Sequence, residues 1–181
     1  MTSSHIVIAV VVAVLVFWIV GAYNRLVSLR GDVAKCFGPV EAQLRQRDLL
    51  LQRWLATLRP LIDQALQSFD AVVAACGQLG AALDVLRPKP LLAAPAATVR
   101  LAEATLADAR RRLQGDLPAD VVELPSVDLA LASEALSEAD AALQFARTRF
   151  NEASDHYNVA RRQFPTWLVA ALFGFRPAGT L

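Results

Sequence analysis

The sequence is poor in charge and poorer still in residues that hold metals. Asp, Glu, Lys and Arg together make 19% of its 181 residues, against roughly 25% in a typical soluble domain. Histidine, cysteine and tyrosine each occur only twice. Cys36 and Cys76 form no Cys-x-x-Cys and no pair at ligand spacing, which excludes a cysteine-held zinc site and a thioredoxin-like dithiol. Cys76 falls in an apolar helical register and reads as a small buried hydrophobe. Both cysteines read as lying on one long helix, too far apart to bridge.

Positive charge is equally short. The net charge is +1 and the pI about 7.8, so the basic face that nucleic acid requires is missing. The one basic cluster, Arg110-Arg111-Arg112, reads as a solvated helix face. Catalytic signatures are absent too: there is no Gly-x-Ser-x-Gly, His-Glu-x-x-His or P-loop. Glu134 and Glu138 stand one helical turn apart, as paired carboxylates for acid–base or metal chemistry would, but they point off the apolar seam described below. A di-iron bundle needs Glu-x-x-His repeats on facing helices. Only His156 lies beyond the N-terminal region, and Glu152 is at the wrong spacing for that motif. The expectation is no catalytic residue, no cofactor, no metal, no evident small-molecule substrate and no enzyme activity.

What is abundant is apolar. Hydrophobic residues make 55% of the chain. Ile6 to Val20 is an unbroken apolar run, extended by Gly21, Ala22 and Tyr23, at the lower edge of what crosses a hydrocarbon core of roughly 30 Å. Trp18 and Tyr23 sit at its end, where amphipathic aromatics favour the interface. The run has no polar face, so a buried core helix is the weaker reading. A cleaved signal peptide is the serious rival, with Val20-Gly21-Ala22 before a cut at Tyr23; the segment Met1 to His5 lacks the Lys or Arg that such a leader carries. Arg25, Arg30 and Lys35 follow the run, so the positive-inside bias puts the C-terminal side in the cytoplasm and the N-terminus outside a bacterial-type inner membrane. The lipid bilayer, through Ile6 to Tyr23, is the expected partner.

Beyond the anchor, apolar residues recur in alternating steps of three and four. Leu129, Ala132, Leu136, Ala139, Leu143, Ala146, Phe150, Ala153, Tyr157, Ala160 and Phe164 form one seam, large and small residues alternating. Val99, Ala102, Leu106, Ala109 and Leu113 form another. Phe37, Leu44, Leu51, Leu58, Ala65, Val72, Leu79 and Leu86 share one heptad position. Alanine at every second core layer lets a neighbouring backbone come close. The pattern predicts an all-α, antiparallel, coiled-coil-like bundle with a long first helix. Arg87-Pro88-Lys89-Pro90 ends that helix and Pro95 precedes the second; Gly115 to Pro125 forms the next connection, and Ser126 caps the third. Pro39 lies near the start of the first helix, and Pro60 lies inside it and kinks it. The units are 1–23 (anchor), 24–164 (bundle) and 165–181 (apolar C-terminal segment).

Two motifs carry a family resemblance. Tyr23-Asn24-Arg25-Leu26-Val27-Ser28-Leu29-Arg30, followed by Val33, Ala34, Val40, Leu44 and Arg47, resembles the opening of LemA-type proteins. Ala146-Arg147, Phe150-Asn151, Tyr157-Asn158, Phe164-Pro165 and Gly174-Phe175-Arg176 resemble that family's "YN…YN…FP…GF" close. The first Tyr-Asn is Phe150-Asn151 here. The proline of the family's Asp-Leu-(Ile/Val)-Pro-Asn-Leu stretch is missing from Asp48-Leu49-Leu50-Leu51-Gln52-Arg53-Trp54. The resemblance implies a membrane-anchored antiparallel helical bundle and little mechanism.

Tyr157 and Phe164 fall on the seam and read as core. Asn24, Asn151 and Asn158 read as makers of interhelical hydrogen bonds. Trp167 to Phe175 is apolar nearly all round yet too short to span a bilayer. With Pro60 as a kink, this segment ends far from the membrane, packed over the distal end of the bundle or against another subunit. With a reversal at Pro60 it arrives at the membrane instead. The expected role is an interaction or scaffold protein, self-assembling or holding a membrane-protein partner; the alternatives are a regulatory adaptor or sensor and, last, a membrane-bound hydrolase or metal enzyme.

Overall fold

Pro60 decides the topology. A computed structural model describes residues 3–62, 65–123 and 125–181; Met1 and Thr2 of the expected anchor and Leu124 of the second connection lie outside the described residues. Helix α1 runs Ser3–Leu58 without a break. A 3-10 turn, Arg59–Leu61, then leads into an extended Ile62, and α2, Leu66–Leu86, comes back alongside. The guanidinium of Arg59 lies 5.4 Å from the centre of the Phe69 ring, and at the other end Arg87 Nε lies 3.1 Å from Glu41 of α1. The expected kink is therefore a reversal. Pro60 cannot donate to the carbonyl four residues back, and its ring obstructs that turn. A helix continued past Leu58 would also lose its partner, because Trp54 already meets the first turns of α5 through Ser133 (3.0 Å).

Helix α3 (Ala93–Gly115), the short α4 (Ala119–Glu123), α5 (Val127–Arg162) and α6 (Thr166–Leu172) complete the described elements, with no strand among them. Ser126 caps α5 as expected, its hydroxyl accepting from the amide of Leu129 at 3.3 Å. Four long helices thus alternate in direction where three were expected. Along α1 and α5 the contacts climb one helix as they descend the other: Trp54 with Ser133, Arg47 with Asp140, Phe37 with Phe150. The closest pairs are α1 with α5 and α2 with α3. The alanines on their seams account for this: Ala75 and Ala82 on α2, Ala96, Ala102 and Ala109 on α3, and Ala139, Ala146 and Ala160 on α5 are all buried.

The heptad positions expected to be core are buried almost throughout: Phe37, Leu44, Leu51 and Leu58 on α1, Ala65 in the turn, Val72, Leu79 and Leu86 on α2, and all five on α3. On α5 the seam drifts, with Ser154 buried while Ala132 and Ala153 stay half-exposed. Phe164 is a correction: it is 79% exposed, because α5 ends at Arg162 and the chain turns away before it. The two cysteines lie on different helices, α1 and α2, rather than one; both are free and half-buried. Pro39 lies in the interior of α1 rather than near its start. It is exposed, so the carbonyl it leaves without a donor can meet solvent.

Ile6 to Val20 is exposed along nearly its whole length. The most apolar 18-residue window of α1 has mean hydropathy 2.9 and is 6% buried. That stretch is long and apolar enough to span a membrane. Helix α2 also passes by length and hydropathy, but its apolar stripe from Phe69 to Leu86 is spent on the bundle core.

Candidate functional site

The chemistry-bearing side chains gather at the end of the bundle where the exposed stretch of α1 enters it, here the proximal end. Because the chain reverses at Pro60, the α2–α3 connection and the whole C-terminal segment arrive there. The segment Trp167 to Phe175 therefore does not cover the distal end, as a kink at Pro60 implied, but lies at the end that a reversal implied, against Tyr23. Tyr23 makes edge-to-face contacts with Phe173 and Phe175, ring centres 5.0 and 5.7 Å away. Gly174 makes this fold-back possible. It sits at φ +68° just past α6, and the amide of Phe175 donates to the carbonyl of Ala170 at 2.9 Å, the bond that closes a Schellman-type helix end.

Beyond Phe175 the chain runs extended back along α5, held by the two asparagines of the closing motif. Asn158 donates to the carbonyl of Ala178 (3.0 Å) and accepts from its amide (2.9 Å). Asn151, two turns earlier on the same face, does the same for Leu181 (2.6 and 2.8 Å). Each side-chain amide satisfies one residue's backbone donor and acceptor, as a neighbouring strand would. Between them the amide of Gly179 donates to the carbonyl of Leu91 at 2.9 Å. A Cβ at Gly179 would stand 2.8 Å from Ala93 Cα and from Ala96 Cβ, so the tail lies against α3 with no room for a side chain. These asparagines therefore bind a docked tail, whereas interhelical bonds were expected; Asn24 is exposed.

Tyr157 completes the clamp. Its hydroxyl is buried and donates to the carbonyl of Arg176 at 2.8 Å. Burial pushes the phenol's pKa up, against the opposing charges of Arg30 and Arg161, so the group stays a donor.

The remaining motif residues divide by face. Leu26 and Phe150 are fully buried and Leu29 half-buried, whereas Val27 and Arg30 are exposed. Pro165 follows Phe164 and precedes α6. Val27, Arg30 and Gly174 line a cleft of about 740 Å³ whose other walls are Tyr23, Phe173, Phe175 and the connection Pro88 to Leu92. A second hollow of about 310 Å³ shares Arg30 and Lys89 and adds Tyr157 and Arg176. A third, of about 580 Å³, lies under Arg161, Arg162, Trp167 and Arg176. No acidic residue lines any of the three. Among the described residues, none of Arg30, Lys89, Arg161, Arg162 and Arg176 makes an ion pair. The groove between α1 and α2, by contrast, carries Glu41, Asp48 and Asp84.

A second polar feature lies at mid-height and was not foreseen. Arg47, 6% exposed, occupies a core layer of α1 and meets both carboxylate oxygens of Glu103 on α3. Arg147 of α5 approaches the same carboxylate at 2.5 Å. Asp140 of α5 lies 3.6 Å from Arg47 and 3.0 Å from Arg110. Arg110 is thus half-buried and paired, unlike the solvated residue expected; Arg111 and Arg112 are exposed, on Asp108. The network ties the α1/α5 pair to α3. The signal for it was present: Arg47 falls in step between Leu44 and Leu51. Lys89, flanked by prolines, carried no such signal.

Glu134, Glu138 and His156 are exposed, and among the described residues no three His, Cys, Asp or Glu side chains gather to hold a metal. No curated protein matches the chain. The model of the LemA family matches residues 125–181, the stretch that holds Asn151, Tyr157, Asn158 and the docked tail, so the family that the closing motif resembles is also the family that this part of the chain matches.

Proposed function

We propose that this protein is a membrane-anchored interaction scaffold whose bundle stands at the inner face of a bacterial-type cytoplasmic membrane. The observation that carries the reading is the continuity of α1. One helix passes from an apolar stretch exposed along nearly its whole length, Ile6 to Val20, into the buried seam that begins at Ala22 and Leu26. An isolated apolar helix in water would leave that surface unburied; a bilayer covers it. The C-terminal segment supports the same placement. Trp167, Leu168, Leu172 and Phe173 are exposed at the proximal end, where an apolar face can enter the membrane interface.

Orientation follows from charge. Arg25, Arg30 and Lys35 lie just past the span, and the fold adds Lys89, Arg161, Arg162 and Arg176 at the same end. The positive-inside bias then keeps the bundle in the cytoplasm. With the span in lipid, the long outer faces of the bundle are free to hold a second copy or a membrane-protein partner. The test is crosslinking of the full chain in isolated membranes, with size analysis in mild detergent. A ladder of multiples or one discrete heterologous adduct supports a scaffold. A chain that is released by alkaline wash, or that stays monomeric and unlinked, overturns the reading.

A further inference from the structure

We propose that the proximal cleft is a binding site for the headgroup of an anionic phospholipid, taken from the membrane in which α1 is anchored; the proposal rests on that anchoring. Arg30 lies seven residues beyond Tyr23, about 10 Å of helix rise. Side chains on a helix slant toward its N-terminus, which for α1 means back toward the bilayer. A guanidinium at that height therefore reaches the polar headgroup layer, roughly 5–7 Å deep on each side of the hydrocarbon core.

Chemistry agrees with position. Arg30, Lys89 and Arg176 come from three different segments, α1, the α2–α3 connection and the docked tail. They line hollows that join through Arg30, Lys89 and Gly174 and hold no carboxylate. Three like charges brought together without a counter-ion repel one another, whereas Arg47, Arg87, Arg110 and Arg147 elsewhere in the bundle each face a carboxylate. A lipid phosphate supplies the missing charge, and arginine's planar fork suits phosphate oxygens. The remaining walls are apolar. Tyr23, Phe173 and Phe175 stand on the side of the cleft nearest the span, where the glycerol and first methylenes of a bound lipid lie. A free phosphate would use the cations and leave these rings idle; a lipid uses both.

The tail clamp has a place in this arrangement. Arg176 is held by its own backbone carbonyl on Tyr157, so the site exists only when the tail is docked.

The experiment uses the full chain purified in a non-ionic detergent, with native mass spectrometry of bound lipid as readout. Phosphatidylglycerol is offered against phosphatidylcholine of the same acyl chains. The expected result is preferential retention of phosphatidylglycerol by tenfold or more. Each cation near an anionic headgroup contributes roughly a fivefold factor, so Arg30→Gln, Lys89→Gln and Arg176→Gln should each weaken retention about fivefold. Their combination should abolish the preference. Arg111→Gln and Arg112→Gln, on the solvated face of α3, should leave it unchanged. Lys89→Gln is exposed in a connection, so it reports on the site even if the combined variant misfolds. Equal retention of the two lipids, or a preference that survives all three substitutions, overturns the proposal. So does full displacement by millimolar inorganic phosphate or glycerol phosphate, which would assign the site to a soluble anion. Failure of the anchoring itself reads differently: the chain would then leave membranes on alkaline wash, whatever its lipid preference.

Discussion

Replacing Glu103 by glutamine tests the mid-bundle network at its most exposed assumption, that it is held by charge rather than by shape. Glu103 faces Arg47 and Arg147, whose side chains are 7% and 15% exposed. Glutamine keeps the size and one acceptor but removes the charge that both guanidiniums share. Asp140 remains, at 3.6 Å from Arg47 and already engaged by Arg110. Breaking a buried pair from one side costs about 3–5 kcal/mol, because the surviving charge stays out of water. For a chain of this size that lowers the melting temperature by about 6–20 °C.

Burial alone would raise the Glu103 pKa, but the hydrogen bonds and charges of Arg47 and Arg147 outweigh it and hold the carboxyl below its ordinary 4.5. A lowered folded-state value gives stabilisation that is complete above the unfolded value and lost as pH falls through the folded one. Circular-dichroism melts of the full chain in detergent, from pH 7 down to pH 3, should therefore show the native protein losing stability below about pH 4.5. The Glu103→Gln variant should start lower and lose less. Replacing Arg47, Glu103 and Arg147 together by Met, Leu and Leu should recover most of the loss, since well-packed apolar groups commonly match a buried ionic cluster. If Glu103→Gln melts within about 1 kcal/mol of the native protein, the network is not the buried ionic lock described.

Gly179→Ala should undock the tail, since its new Cβ meets backbone and a small side chain at 2.8 Å; about 1–3 kcal/mol of overpacking strain is expected, read as faster hydrogen exchange at Ala178 and Leu181. Asn158→Ala should give the same local signature by leaving the Ala178 amide and carbonyl unpaired, at about 1–3 kcal/mol, with little effect on α2; protection unchanged at Ala178 would refute the clamp. Cys76 should alkylate slowly at pH 8, because burial, with Asp48 adding to it, pushes its thiol up to about 11; a rate matching a free peptide thiol would contradict that. Ala146→Leu should cost about 1–3 kcal/mol by forcing α1 and α5 apart, whereas Glu134→Ala should stay within about 0.5 kcal/mol.

Much of this architecture was legible, and the part that was not has a specific cause. Periodicity found the buried faces because 3.6-residue geometry leaves it no alternative. It could not find the reversal at Pro60, because Leu58 and Ala65 keep the seven-residue phase unbroken through the turn, and both are buried. The heptad pattern reports which face is inside, not which way the chain is going. That ambiguity carried the helix count and the location of the C-terminal segment with it. The asparagines stood out by their spacing, yet their partners are backbone groups of the tail, and backbone leaves no mark in a sequence. The proximal cations were invisible for a related reason: Arg30, Lys89 and Arg176 are far apart along the chain, and only the up-and-down path brings them to one end.

With its N-terminal stretch in lipid as proposed, the unbroken course of α1 would also make the protein a ruler. A flexible linker would let the bundle find its own height above the bilayer, indifferent to a residue more or less. A hingeless helix sets the stand-off by rise alone, about 1.5 Å per residue. Four helix-forming polar residues inserted between Val20 and Gly21 would lift the whole proximal face by about 6 Å, the depth of the headgroup layer. The aromatic rim of Tyr23, Phe173 and Phe175 would then clear the lipid, while the bundle beyond Gly21 kept its packing and Ile19, on the other side of the insertion, gave up its place against the core. In that placement, what reaches the surface of the membrane is metered by the length of one helix.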